Sequence, residues 1–217
     1  MSRTVHNPEV TRRTLLESAA TQIHRLGFQA TSLDAILAET GVSKGALYHH
    51  FANKHELGLA VLHEVFREGM LHEWSAALSL TSQPVDALLE LLGHKRDSLS
   101  LCAIECGCPI NNLAQELASV NEPFRKAIEA ILESWRHLIA DALERGRGLG
   151  CVRADVDCRA EAVFITSLIE GATGAAKTAR DPSLLETALH VLAAHLESLR
   201  ATPSSKPARK TKPRVAR

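Results

Sequence analysis

Between residues 31 and 57 two short amphipathic stretches flank a glycine, and this spacing constrains the fold more than any other part of the 217-residue chain. Leu33, Ile36 and Leu37 recur at the i, i+3, i+4 period of one helix face. Gly41 follows Thr40, where the turn calls for a left-handed residue and a Cβ would be costly. Ser43 then opens a second helix. Val42 and Leu47 point back against Ile36 and Phe51 is buried, while Lys44, Gly45, Tyr48 and His49 face outward. A helix-turn-helix presents one helix to the DNA major groove in this way. The second helix is too short to persist alone, so its neighbours must hold it.

The flanks supply those neighbours. From Val10 to Leu26 an apolar stripe of Leu15, Leu16, Ala19, Ala20, Ile23 and Leu26 predicts a supporting helix, stopped by Gly27. Thr31 or Ser32 can cap the helix that follows, and Asn53 caps a longer one striped by Leu57, Val61, Leu62, Val65 and Phe66. No stretch alternates in the manner of a strand, so an all-α fold is expected. No apolar run approaches the ~20 residues that cross a bilayer, and Met1-Ser2-Arg3-Thr4 lacks the apolar core of a secretion signal. A cytoplasmic protein without membrane contact is expected.

The run from Gly41 to Lys54, Gly-Val-Ser-Lys-Gly-Ala-Leu-Tyr-His-His-Phe-Ala-Asn-Lys, closely resembles the signature of TetR-type transcriptional repressors. The resemblance is specific over residues 11 to 60 and architecturally consistent to about residue 200. It implies an all-helical homodimer: a three-helix DNA-binding domain over 1–53, a helical effector-binding and dimerisation domain over 54–200, and a tail over 201–217. Within that pattern Tyr48, His49 and His50 meet bases and phosphates of a palindromic double-stranded operator. Ser43 and Lys44 stand at a helix start that already favours a phosphate, and Thr31 and Lys54 do so at their own helix starts. Gly45 lets the DNA backbone come close. Through Ala60 six basic residues face five acidic ones, so one copy should bind weakly. Two copies reading half-sites about one turn (~34–36 Å) apart are required.

The formal net charge is zero, but the tail carries six basic residues and no acid, leaving 19 basic against 25 acidic in the body. Such a tail cannot bury apolar surface and is expected to be disordered. It serves either solubility alone or as a non-specific phosphate-binding arm.

In the C-terminal half, Phe124, Ile128, Ile131, Leu132, Trp135, Leu138, Ile139 and Leu143 stripe a long helix ending near Gly146-Arg147-Gly148. Helices are expected from about Arg159 to Ala179 and from Pro182 to Arg200. The resemblance pairs these last two with their mates in a dimer, with Leu185, Leu189, Leu192, Leu196 and Leu199 either in that contact or in the chain's own core. Effector-pocket candidates are Phe124, Trp135, His137 and Phe164, each equally readable as packing.

All five cysteines lie between residues 102 and 158. An odd number in a cytosolic setting speaks against structural disulfides. Pro109 suits the first position of a helix, making Cys108 its N-cap, where the helix dipole should lower the thiol pKa. The segments around Gly107-Cys108 and Gly171 to Lys177 resemble a branch with members that respond to electrophiles or oxidants through cysteine. That resemblance puts Lys177 beside a Cys108 thiolate, with Cys106 or Cys102 resolving. Inert core cysteines and a soft-metal site remain open alternatives, although no paired Cys-x2-Cys or ligating histidine supports metal. No cofactor is expected. An enzyme is the rival class, but the chain has no phosphate-cradling glycine loop, metalloprotease histidine pair or Gly-x-Ser-x-Gly elbow.

Overall fold

Asparagine, serine and proline set where the helices begin. The structure, a computed structural model, describes residues 7–201, and the basic tail beyond Ala201 lies outside them. α1 (Pro8–Leu26) starts on Asn7, whose side-chain oxygen accepts from the Glu9 N–H at 3.0 Å, and stops at Gly27, φ +86°. α2 (Leu33–Thr40) ends on left-handed Gly41, φ +67°, as the sequence predicts. Ser43 Oγ accepts from the Ala46 N–H to start α3 (Lys44–His50), and Asn53 accepts from the Glu56 N–H to start α4 (Lys54–Val61). α4 continues through a π-helical turn, Leu62–Phe66, into α5 (Arg67–Leu78). There follow α6 (Pro84–Asp97), α7 (Leu101–Cys106), α8 (Pro109–Leu117), α9 (Glu122–Gly148), α10 (Cys158–Ala179) and α11 (Pro182–Ser198). Among the described residues the one β-type pairing is an isolated bridge between Val152 and Arg200. None of these helices is long and apolar enough to cross a membrane.

Two apolar clusters organise the helices. The first joins Leu15, Ile23, Ile36, Leu47 and Phe51 of α1 to α3 with Leu57, Val61 and Leu62. It then runs without a break into Ile110, Leu113 and Leu117 of α8 and Phe124, Ile128 and Ile131 of α9. The expected domain break after residue 53 therefore falls inside a shared core. Three short helices leave their inner face open, and α4, α8 and the start of α9 close it. Each large aliphatic side chain buried there contributes about 1.5–3 kcal/mol.

The second cluster lies between α5, α6, α9, α10 and α11. Leu185, Leu189, Leu192, Leu196 and Leu199 are all buried in it, within one chain. Of the two uses left open for this stripe, the structure has the chain's own core: the period marks the buried face of α11, and α6 and α10 fill it. The exposed apolar side chains of the last two helices are instead Val163, Phe164, Leu184 and Val191.

α4 comes close to the turn after α1 because residue 58 has no side chain. A Cβ at Gly58 would stand 2.4 Å from Phe28 Cε2 and 2.9 Å from Phe124 Cζ. Those two rings pack at 4.9 Å between centroids and have little room to withdraw. Gly58→Ala is expected to lower unfolding stability by about 1–3 kcal/mol despite the better helix propensity of alanine. An unchanged urea midpoint would show that the rings yield freely.

Candidate functional site

α3 carries its outward residues on a buried base. Leu47 and Phe51 are almost fully enclosed, whereas Ser43, Lys44, Gly45 and His49 are exposed and Tyr48 is 45% exposed. A Cβ on Gly45 would meet nothing within 4 Å, so no contact inside the chain requires glycine there. His50 is half-buried, its ring 5.3 Å from that of His49. Burial, aided by the neighbouring His49 and Arg12, pushes its pKa down.

Two expected phosphate contacts are corrected. Thr31 is only 4% exposed and its hydroxyl donates to the Gly27 carbonyl at 2.8 Å, locking the turn after α1. The α2 N-cap is Ser32, which makes no side-chain capping bond. Lys54 folds back as well: Nζ donates to the Gln29 carbonyl at 2.9 Å and lies 4.9 Å from the centre of the Phe28 ring. Partial burial lowers its pKa. Both residues build the turn that carries α2 and α3; Thr31 is enclosed there, whereas Lys54 is half-buried with one of its three N–H donors used.

That same turn is tied to α8. The Glu116 carboxylate accepts from the Phe28 N–H at 2.8 Å and the Gln29 N–H at 2.6 Å. At the other end of α8, the His24 ring Nε2 is 2.8 Å from the Gly107 carbonyl. His55 and Asn121 meet at 2.6 Å, and Arg12 pairs with Glu64. The module bearing α3 is thus fastened to the body at both ends of α8 and at the start of α9.

The α7–α8 junction forms part of the wall of a cavity of about 360 Å3 between α5, α8, α9 and α10. Phe66, Met70, Trp74, Ile104, Ile110 and Ile169 make it largely apolar. Cys108 is the N-cap of α8 with Pro109 at the first position, as predicted, and it lines this cavity. The expected activation of its thiol is overturned. Burial, reinforced by the Glu170 carboxyl, pushes the pKa up to about 12 and outweighs the Asn111 and Ile110 N–H groups that favour the thiolate. Burial also raises the pKa of Glu170.

Lys177 is not the cation beside that thiol. Its Nζ donates to the Cys106 carbonyl at 3.2 Å and to Asn112 Oδ1 at 2.9 Å, bracing the α7–α8 turn. Cys106 is half-buried and Cys102 exposed. Among the described residues no cluster of three His, Cys, Asp or Glu side chains could hold a metal ion.

Of the four pocket candidates, Trp135 alone lines the cavity. Phe124 is core beside Phe28 and His55. Phe164 is 44% exposed and packs edge-on against His195. His137 lies on an outer groove of about 770 Å3 between α5 and α9, whose polar rim includes Arg67, His72 and Asp141. Helical period gave Phe124 and Trp135 an inward direction, but not the cluster each would join.

A family model described as bacterial regulatory proteins, tetR family, matches residues 15–61, and one described as tetracyclin repressor-like, C-terminal domain, matches residues 84–192. The chain belongs to the TetR family. An uncharacterised HTH-type transcriptional regulator in the lacX 3′ region of Lactococcus lactis is 29% identical over 195 residues, which span 90% of this chain and 97% of that one. The HTH-type transcriptional repressor NemR of Escherichia coli is 26% identical across 92% of this chain and 98% of its own. A solved TetR transcriptional regulator from Chloroflexus aurantiacus has a TM-score of 0.79 at 28% identity, covering 90% of this chain and 98% of that chain. As a TetR-family member the protein is a helix-turn-helix transcriptional regulator.

Sequence reasoning missed Glu116, His24, Glu170 and Trp74. Their partners lie far away along the chain, and no local spacing announces them.

Two outcomes test this geometry. Gly45→Ala should leave the protein as stable or about 0.5–1 kcal/mol more so, while the added methyl group weakens DNA binding at least tenfold. Thermal unfolding and fluorescence anisotropy read the two effects; unchanged affinity would remove Gly45 from the DNA face. A thiol pushed up to about 12 stays protonated at neutral pH. Maleimide should therefore label exposed Cys102 well before Cys108 in the folded protein at pH 7. Mass spectrometry showing Cys108 labelled first would contradict a buried, protonated thiol.

Proposed function

We propose that this protein is a homodimeric repressor that holds a palindromic operator through α3 and releases it when a small molecule fills the cavity beside α8. The observation that carries the reading is the α3 surface: Lys44, Tyr48 and His49 displayed over buried Leu47, with Gly45 open. In this reading Ser43 and Lys44 engage phosphate, and Tyr48, His49 and His50 read base edges or their flanking phosphates. Phosphate contacts fix register and base contacts confer sequence preference. The protein works in the cytoplasm, where the chromosome is.

Pairing through α10 and α11 is supported by Val163, Phe164, Leu184 and Val191, which are exposed along those helices. The near balance of charge in the reading module gives pairing a purpose, because two weak contacts at fixed spacing bind together. Release follows if ligand shifts the Cys108 end of α8. Glu116 at its other end then carries the turn after α1, and α3 with it, to a different spacing. An effector acts only to the extent that it prefers one of these arrangements.

A second reading, release by cysteine oxidation, draws on exposed Cys102 and on similarity to NemR, one solved structure of which is its reduced form. Oxidised and reduced protein binding the operator equally would remove it.

Selection of bound duplexes by the purified full chain should return an inverted repeat. Lys44→Ala should then weaken operator and random duplex alike, whereas Tyr48→Ala should weaken the operator more. Equal losses from both substitutions, or no enriched sequence at low salt, would refute the assigned roles.

A further inference from the structure

Two residues that line the cavity each hold a buried polar atom without a hydrogen-bond partner among the described residues. Trp135, 2% exposed, packs edge-on against Trp74 at 4.9 Å between ring centres, yet its indole N–H has no acceptor. Glu170 Oε2 is enclosed and has no donor, although the Cys108 thiol bonds to the same carboxyl group. Both residues line the same cavity, whose other walls are mainly hydrocarbon and aromatic. Buried polar groups are normally paired, and an unpaired pair in one apolar chamber is a recognition pattern awaiting its complement.

We propose that the effector is an uncharged, largely apolar molecule bearing one neutral donor–acceptor group, an alcohol or a carboxamide, which accepts from the Trp135 indole N–H and donates to the Glu170 carboxyl. This rests on the reading of the cavity as the effector site. Size agrees: a dry cavity of ~150 Å3 holds benzene, so about 360 Å3 accommodates a ring with a short polar arm.

The competing charge types fit less well. A carboxylate effector would face Glu170 and Glu73, with Lys95 as the cation on the same wall. An ammonium could pair with Glu170 but leaves the indole N–H without an acceptor. A pure hydrocarbon leaves both atoms unpaired, and each such loss costs roughly 5- to 150-fold in affinity. A neutral donor–acceptor group answers both atoms without burying another charge.

Five compounds sharing a phenyl ring and two carbons isolate the polar group: 2-phenylethanol, phenylacetamide, 2-phenylethylamine, phenylacetate and ethylbenzene. Binding to the full-length protein is read by quenching of Trp74 and Trp135, the chain's two tryptophans, and by calorimetry. The alcohol and the amide should bind at least tenfold tighter than the other three. Trp135→Phe, which keeps a ring and removes the N–H, should erase most of that advantage and leave ethylbenzene unchanged. Glu170→Met should do the same and improve ethylbenzene.

The wild-type ranking alone decides the proposal should either variant fold poorly. The amine or the anion binding as tightly as the alcohol, Trp135→Phe leaving the ranking intact, or no member of the series binding would each overturn it. The same samples are scored for operator release. Alcohol or amide bound without release upholds the ligand class and refutes induction through this cavity. An operator-binding protein that takes up none of the compounds refutes the ligand class and leaves the repressor reading standing.

Discussion

One carboxylate joins the two halves of this molecule. Glu116 accepts two consecutive backbone N–H groups, from Phe28 and Gln29, at the turn that aims α2 and α3. Hydrogen bonds to a charged acceptor are stronger than neutral ones, roughly 1.5–3 kcal/mol each. The hold matters because α3 has only seven residues and cannot keep its own direction. Whatever moves α8 moves the frame in which Tyr48 is presented. Beneath this bond the apolar core is continuous from Leu15 to Ile131, so the coupling is made of packed side chains as well as polar contacts.

The second connection is covalent. α4 belongs to the reading module at Leu57 and Val61, and the helix then loosens into a π-helical turn before α5. Phe66 at the end of that turn contributes both to the first core and to the cavity wall. A π-helical turn inserts one residue into the normal hydrogen-bond ladder, and such insertions are frequent at functional sites. Here it sets the angle at which the cavity-facing half of the helix leaves the module. Gly58, one turn earlier, allows the close approach that makes this angle count.

What could be read from the sequence was local. The apolar periods and the caps at Ser43, Asn53 and Gly41 gave the reading module, and Cys108-Pro109 gave the start of α8, because each depends on neighbours within four residues. The chemistry of Cys108 could not be read that way. Its thiol is governed by burial and by Glu170, 62 positions away, and these override the local helix end. Thr31 departs from the expected phosphate contact for the same reason: its hydroxyl is taken up by Gly27 within the folded turn, and Lys54 bonds to Gln29 there. The leucine stripe of α11 marked the buried face correctly, but a period carries no information about which chain supplies the partner.

The weak charge of the reading module gives these constraints their functional weight. Six basic and five acidic residues through Ala60 supply little non-specific attraction, and in the proposed dimer affinity comes from two copies of α3 held at one spacing. A displacement at the turn after α1 enters twice in a symmetric pair, once for each half-site. In the proposed release mechanism a ligand need not disturb α3 itself; a shift of α8 that keeps the shared core intact would put the two helices out of register. A more basic module would grip DNA at many spacings and blunt that response, so in the proposed mechanism the near neutrality of this module would serve release as much as it limits binding.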